Sequence, residues 1–274
     1  MYHLVLPIIL ACCFALATVT NTAAATRTFK PGGVNAFWSN PNNWQEGVAP
    51  VNDDDLVFPE TAGMATPTIN DIPNVRVRSF HVIGKYTLTG QPLLFGEGGM
   101  TGQFGSSGVL RIDLLGTLDA NAVWDTTSLT LDYNGELRLG GHTLTFNTGL
   151  PVTINGVITG TGTIVKQGFL YLQLNASNTY AGQTIINGGW VLANHANALG
   201  IGDGTPSNGT FVNNVTPDGA SLQLAPTIAL GNEYIRASGA ASFAGALAAS
   251  GAASSPGRSN WPATLPSPPC RMAP

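Results

Sequence analysis

Charge is scarce in this chain. Asp, Glu, Lys and Arg make up 9% of its 274 residues, against about 25% in an ordinary globular domain. The formal net charge is −4, and no cluster of Lys or Arg stands out. That excludes the basic footprint of a nucleic-acid or acidic-lipid partner. Cysteine is nearly absent, with Cys12, Cys13 and Cys270 the three residues of this type. The first two fall in a leader-like segment, so the remainder has no cysteine pair. An internal disulfide and a Cys-ligated zinc site are therefore excluded. Helical periodicity is missing as well, so almost no helix is predicted after Ala25. No H-E-x-x-H, G-x-S-x-G or G-x4-G-K-[ST] pattern occurs. The Gly-rich segments lie between strand-like runs with no helix behind them, so no nucleotide site is predicted.

What the chain has in quantity is glycine, 34 residues, spaced between short alternating apolar runs. Residues 1–25 read as a secretory signal, with an apolar stretch from Ile8 to Val19 and a small-residue cleavage site at Ala23–Ala25. That stretch is short for a span of about 20 residues, so cleavage after Ala25 and export are expected. Residues 26–67 form an N-terminal unit. Trp38 and Trp44 bracket an Asn/Pro turn, and Asp53, Asp54 and Asp55 precede a strand at Leu56–Phe58. The two tryptophans read either as a cap over the apolar end of a solenoid or as a glycan contact. The Asp triplet reads as a turn, since EF-hand spacing is absent, with a calcium site as the alternative.

Period-2 alternation places strands at Val75–Val82, Tyr86–Leu88, Leu93–Phe95, Val109–Leu114, Ser128–Tyr133, Glu136–Leu139, Thr143–Phe146 and Val152–Ile158. Glycines at 116, 140, 160, 182 and 202 mark a loose period of roughly 20–25 residues, which suits the rung of a parallel β-helix. A sandwich or jelly roll is the competing arrangement. The segments at 221–225 and 232–237 offer two more strands.

The 160–200 stretch, GTGTIVKQGFLYLQLNASNTYAGQTIINGGWVLANHANALG, carries the most specific order. Gly160, Gly162, Thr163, Lys166 and Gly168 open it. Asn178, Thr179, Tyr180, Gly182, Thr184 and Ile186 follow, then Gly189, Leu192, Ala198, Leu199 and Gly200. This order resembles the autotransporter-associated β-strand repeat, also called the passenger-associated transport repeat. Leu170 and Trp190 depart from that pattern, and the resemblance is confined to this stretch. It implies an all-β fold, a right-handed parallel β-helix, in an exported passenger whose repeat assists passage and folding at the outer membrane. Asn178 is expected to sit in a turn bonding local backbone, and Tyr180 to cover an apolar rung.

The chain is thus read as a non-catalytic secreted or surface protein, with a solenoid over 68–236 and no cofactor. Its expected partners are cell-surface glycans or outer-membrane export machinery, with self-association through the apolar ends. The alternative is a polysaccharide-active enzyme or a glycan-binding module. For the enzyme, Asp113 is expected to stack near Asp132 across one rung, where the two would hold calcium or serve as acid and base. His81, His142 and His195 are isolated and read as surface residues. The sequons at Asn175, Asn208 and Asn214 read as structural. From 237 to 274 the composition shifts to Ala, Ser, Gly and Pro, and disorder is expected. A slipped reading frame near residue 245, or a truncated remnant, would account for that shift. After residue 201 nothing supplies the strand series of a terminal barrel.

Overall fold

The computed structural model describes residues 24–61, 66–103, 108–213 and 219–238, and the backbone of 247–249. The leader, the sequon at Asn214, Cys270 and nearly all of the tail lie outside these residues. The described chain is an all-β parallel solenoid of about eight turns. Successive strands alternate between two main sheets, so nearly every strand pairs with one a turn away. The segment Thr143–Thr148, for example, pairs with Thr163–Gly168, which pairs with Thr184–Ile186. On the second sheet Val152–Ile154 pairs with Tyr171–Leu174, and that with Gly189–Ala193. A short third ladder joins Gly116–Leu118, Leu137–Arg138 and Ile158–Thr159.

Alternation explains why these segments settle as strands. Thr143–Thr148 and Leu129–Tyr133 turn every second residue inward to full burial, as period-2 geometry requires when one face meets a core. Leu110 pairs with Leu131, Thr143 with Thr163, and Leu172 with Val191. The same steps of 21, 20 and 19 positions recur in hydrogen bonds between turns. The step widens to 26 where Asn187 meets Asn213, and it is wider again between Val191 and Leu222. The regular middle therefore gives way to rungs carrying longer loops.

The structure revises several sequence expectations. The solenoid ladder starts before residue 68, because Thr26–Thr28, Asp54–Phe58 and Thr66–Asn70 already belong to the two sheets. The run Val152–Ile158 is two strands, broken at Asn155-Gly156. A Cβ at Gly156 would lie 1.6 Å from the Gly135 carbonyl oxygen, so the corner there admits no side chain. Strands at Gly116–Leu118 and Ala122–Asp125 add to those that alternation predicts. Helix is limited to one 3-10 turn at Pro41–Asn43 among the described residues.

The core changes character along the axis. Phe29, Trp38, Trp44, Phe58, Phe80 and Phe95 are all buried at the N-terminal end. Ring contacts run through them, from Phe29–Trp44 at 5.4 Å to Phe80–Phe95 at 5.6 Å. Trp124 then meets Phe95, Tyr133 and Phe146 at 5.2, 5.7 and 5.5 Å. Beyond Phe146 the interior is mainly Ile, Leu and Val, with polar side chains among them.

Candidate functional site

The 160–200 segment forms about two turns, Gly182 stacking over Gly162 and Gly200 over Tyr180, and several of its polar residues point inward. Gly160 and Gly162 flank the corner into the first sheet, and Thr163 opens Thr163–Gly168 in register with Thr143. Gly182 stacks directly over Gly162, where a Cβ would fall 2.0 Å from the Gly162 carbonyl oxygen. At the next corner Gly168 has φ +74, and a Cβ there would meet the Thr148 oxygen at 2.3 Å. Both corners close only because glycine has no side chain. Gly189 opens the following strand, and Leu199 and Gly200 close the segment, Leu199 buried.

Lys166 takes an inward position between Phe146 and Ile186 and is fully buried. Its Nζ donates to the carbonyls of Gln167 at 2.7 Å, Gly168 at 3.1 Å and Gly188 at 2.9 Å. The side chain thus plugs the corner where the chain crosses between sheets on two successive turns. Burial pushes the ammonium down to about 7. The three carbonyl acceptors work the other way, since they favour the protonated form.

Asn178 does something other than close a local turn. Its Oδ1 accepts from the Ile158 N–H at 2.8 Å, one turn below, and its Nδ2 donates to the Ala198 carbonyl at 2.6 Å, one turn above. The side-chain amide therefore replaces a strand on the third face and is itself buried. Thr179, exposed beside it, keeps a backbone bond to Ile158 at 2.9 Å. Tyr180 is fully buried, its hydroxyl 2.5 Å from Thr184 Oγ1, which is also buried. Burial raises the Tyr180 hydroxyl above its ordinary pKa.

A second polar device lies outside, just after the second-sheet strands. The side-chain amide of Asn134 donates to Asp113 Oδ1 at 2.7 Å, and Asn155 to Asn134 at 2.7 Å. Asn175 donates to Asn155 at 2.6 Å, and Asn194 to Asn175 at 2.7 Å. Four asparagines and one aspartate thus form a single ladder with one direction. The one-rung spacing of these residues is visible in the sequence, and it is the signal that strand-by-strand reading missed. The ladder also corrects the expected carboxylate pair. Asp113 stacks on Asn134 and is held by Arg111 Nε at 2.9 Å, whereas Asp132 lies in register with Arg111 and Thr153. The turn here takes 21 positions, which carries Asp113 past Asp132 and onto Asn134.

The Asp53–Asp55 triplet likewise disperses. Asp53, at φ 70, bonds Arg76. Asp54 is buried and accepts from Ala25 N at 3.0 Å, Arg27 Nε at 2.8 Å and Val51 N at 3.0 Å. Asp55 bonds Arg78 and Ser79. Each carboxylate meets protein donors in a different direction. No group of three or more potential metal-ligand side chains converges among the described residues. Arg76 also binds Glu97 at 2.6 Å and Asp119 at 2.7 Å, a cluster spanning residues too distant in sequence to foresee.

Trp38 and Trp44 are both completely buried. Trp38 Nε1 donates to Thr68 Oγ1, and Trp44 Nε1 to the Trp38 carbonyl at 2.8 Å. Neither indole has a face free for a sugar, so the glycan-contact expectation for these two residues has no surface to act through.

In the wider late rungs a shallow recess of about 160 Å³ is lined by Asn178, Thr179, Asn197, Gly202, Asn232 and Glu233. Desolvation pushes the Glu233 carboxyl up to about 7, against the lowering effect of its bond from Thr210 Oγ1 at 2.8 Å. Glu233 is the carboxylate among the lining residues, and the charge of nearby Asp203 also raises it.

No protein-family model matches the chain, and no solved structure matches it. Over 93 residues it is 36% identical to the protein named Adhesin BmaC autotransporter, from Brucella suis biovar 1 (strain 1330). That match takes in 31% of this chain and 3% of the relative, so the chain spans a small fraction of the protein it resembles.

Proposed function

We propose that this chain is passenger-like: a non-catalytic, surface-exposed β-solenoid that contributes to adhesion. The supporting observation is the parallel coil of the described residues, together with 36% identity over 93 residues to an autotransporter adhesin. In this reading the 160–200 segment is one copy of the autotransporter-associated repeat, and its work is to let rungs fold in order. Each rung packs chiefly on its neighbours, so a turn emerging at the outer membrane adds to the folded end without waiting for the rest. Lys166 and Asn178 fit that role, since each joins successive turns through hydrogen bonds that complete only when the next turn arrives.

The test is display. Residues 26–238 are fused upstream of an autotransporter barrel and expressed on a bacterium that does not adhere by itself. Protease-accessible display and increased attachment to host cells are expected. Full display with attachment equal to the barrel alone would overturn the adhesive reading. Display unaffected by Lys166→Ala and Asn178→Ala would overturn the folding role.

A further inference from the structure

The outer face of the second sheet changes abruptly along the axis. Its early rungs present Lys85, Arg111 and Asp132. From Thr153 onward the outward positions carry no charge: Thr153, Gln173, Leu192 and Gln223 form one row in register. Tyr171 and Trp190 lie side by side in the adjoining row, on neighbouring strands. Both are part-exposed, and Phe169 projects at the nearby corner, 55% exposed. On the other side runs the amide ladder, with Asn155, Asn175 and Asn194 linked at 2.6 and 2.7 Å. Gln173 Nε2 also donates to Asn175 Oδ1 at 2.9 Å.

We propose that this strip is a binding lane for an uncharged polysaccharide chain. The proposal rests on the adhesive reading above and names the class of ligand. Pyranose rings have apolar C–H faces that stack on tyrosine and tryptophan, and rims of hydroxyls that both donate and accept. An aromatic row beside an amide row matches both features at the strand spacing of about 4.8 Å. The ladder holds its amides in place before any ligand arrives, which lowers the ordering cost of binding. The absence of charge along this row complements a neutral chain, since an acidic or basic polymer would lose hydration there without gaining an ion pair. Trp190 is also one of the two residues at which the segment departs from the repeat pattern, so it is a feature of this chain more than of the repeat.

The experiment is affinity electrophoresis of the purified chain in native gels. One gel carries hydroxyethyl-cellulose, one galactomannan and one polygalacturonate. Retardation in at least one neutral gel is expected, with apparent affinity falling about tenfold in Trp190→Ala and in Tyr171→Ala. Val123→Ser, on an exposed site of the first sheet, should migrate like the parent. Unchanged β-sheet circular dichroism and melting keep the two lane variants interpretable, and Tyr171→Ala serves if Trp190→Ala does not fold. Retardation only in polygalacturonate, none in any gel, or lane variants retarded as strongly as the parent would overturn the proposal. The assay needs neither export nor host cells. Failed adhesion with lane-dependent retardation therefore sinks the adhesive reading alone, and adhesion without retardation sinks the lane alone.

Discussion

The two halves of the solenoid close the same coil by different means. From Phe29 to Phe146 the interior is filled by large aromatic rings, and every ion pair among the described residues lies between Arg27 and Arg138. From residue 147 to 213 the described chain has no ion pair, and Tyr180 is its one fully buried aromatic. There the coil is held by aliphatic side chains and by polar groups aimed at backbone carbonyls: Thr148 to Leu170 at 2.7 Å, Lys166 to three carbonyls, and Asn178 to its two neighbouring turns. The first half is filled by ring volume. The second gives the backbone carbonyls at its corners side-chain partners, since a buried carbonyl left alone costs about 1–3 kcal/mol.

Trp124→Ala strikes the aromatic half hardest. It removes a ring that touches three others and leaves a cavity, so a loss of about 3–5 kcal/mol is expected in chemical denaturation. Amide exchange should rise first in Phe95, Tyr133 and Phe146, the rungs on either side. Equal exchange increases at Val191 would mean that the halves unfold as one unit and that the contrast is only compositional.

Asn178→Ala probes the other half. It orphans the Ile158 N–H and the Ala198 carbonyl together, for an expected cost of about 2–4 kcal/mol. Exchange at Ile158 should accelerate, while the N-terminal aromatics stay protected. A fully protected Ile158 in the variant would show that the amide does not carry the third face.

The smallest effect sharpens the comparison through pH. Lys166 has a folded pKa of about 7, below the ordinary lysine value of 10.5. Between these values the unfolded chain holds the extra proton, so stability rises as pH increases from about 7 towards about 10. From about pH 7 to about pH 9.5 the gain is at most about 3 kcal/mol. Lys166→Met should lack this rise when denaturation midpoints are compared at about pH 7 and about pH 9.5. Parallel profiles for the two proteins would mean that the three carbonyls hold the lysine charged throughout.

Much of this architecture was legible because its signal is local. Ile164, Leu172 and Leu174 alternate with polar residues, and glycine marks the corners. Strand positions and a coil of about 20 residues could therefore be read directly. What escaped depends on registry between turns. A step of 21 positions, as at Asp113, against 19, as at Asn175, decides whether Asp113 meets Asn134 or Asp132. Composition does not set that number. The reach of Asn178 to turns above and below has no signature at its own position. The partnership of Arg76 with Asp119 lies across more than one turn of the coil. Short strands such as Gly116–Leu118 carry too few residues for alternation to show.

The directed amide ladder bears on how such a chain lengthens over generations. Each asparagine offers its neighbour below a donor and its neighbour above an acceptor, so any one asparagine-bearing turn is interchangeable with the next. A tandem duplication of about 20 codons anywhere between Asn134 and Asn194 would splice in a turn whose ends already match. The run stops where Ala225 takes the equivalent corner above Asn194, its N–H bonded to Ala193 at 3.0 Å. That alanine ends the ladder, one turn after Asn194 and beyond the longer loop that separates Ala193 from Ala220.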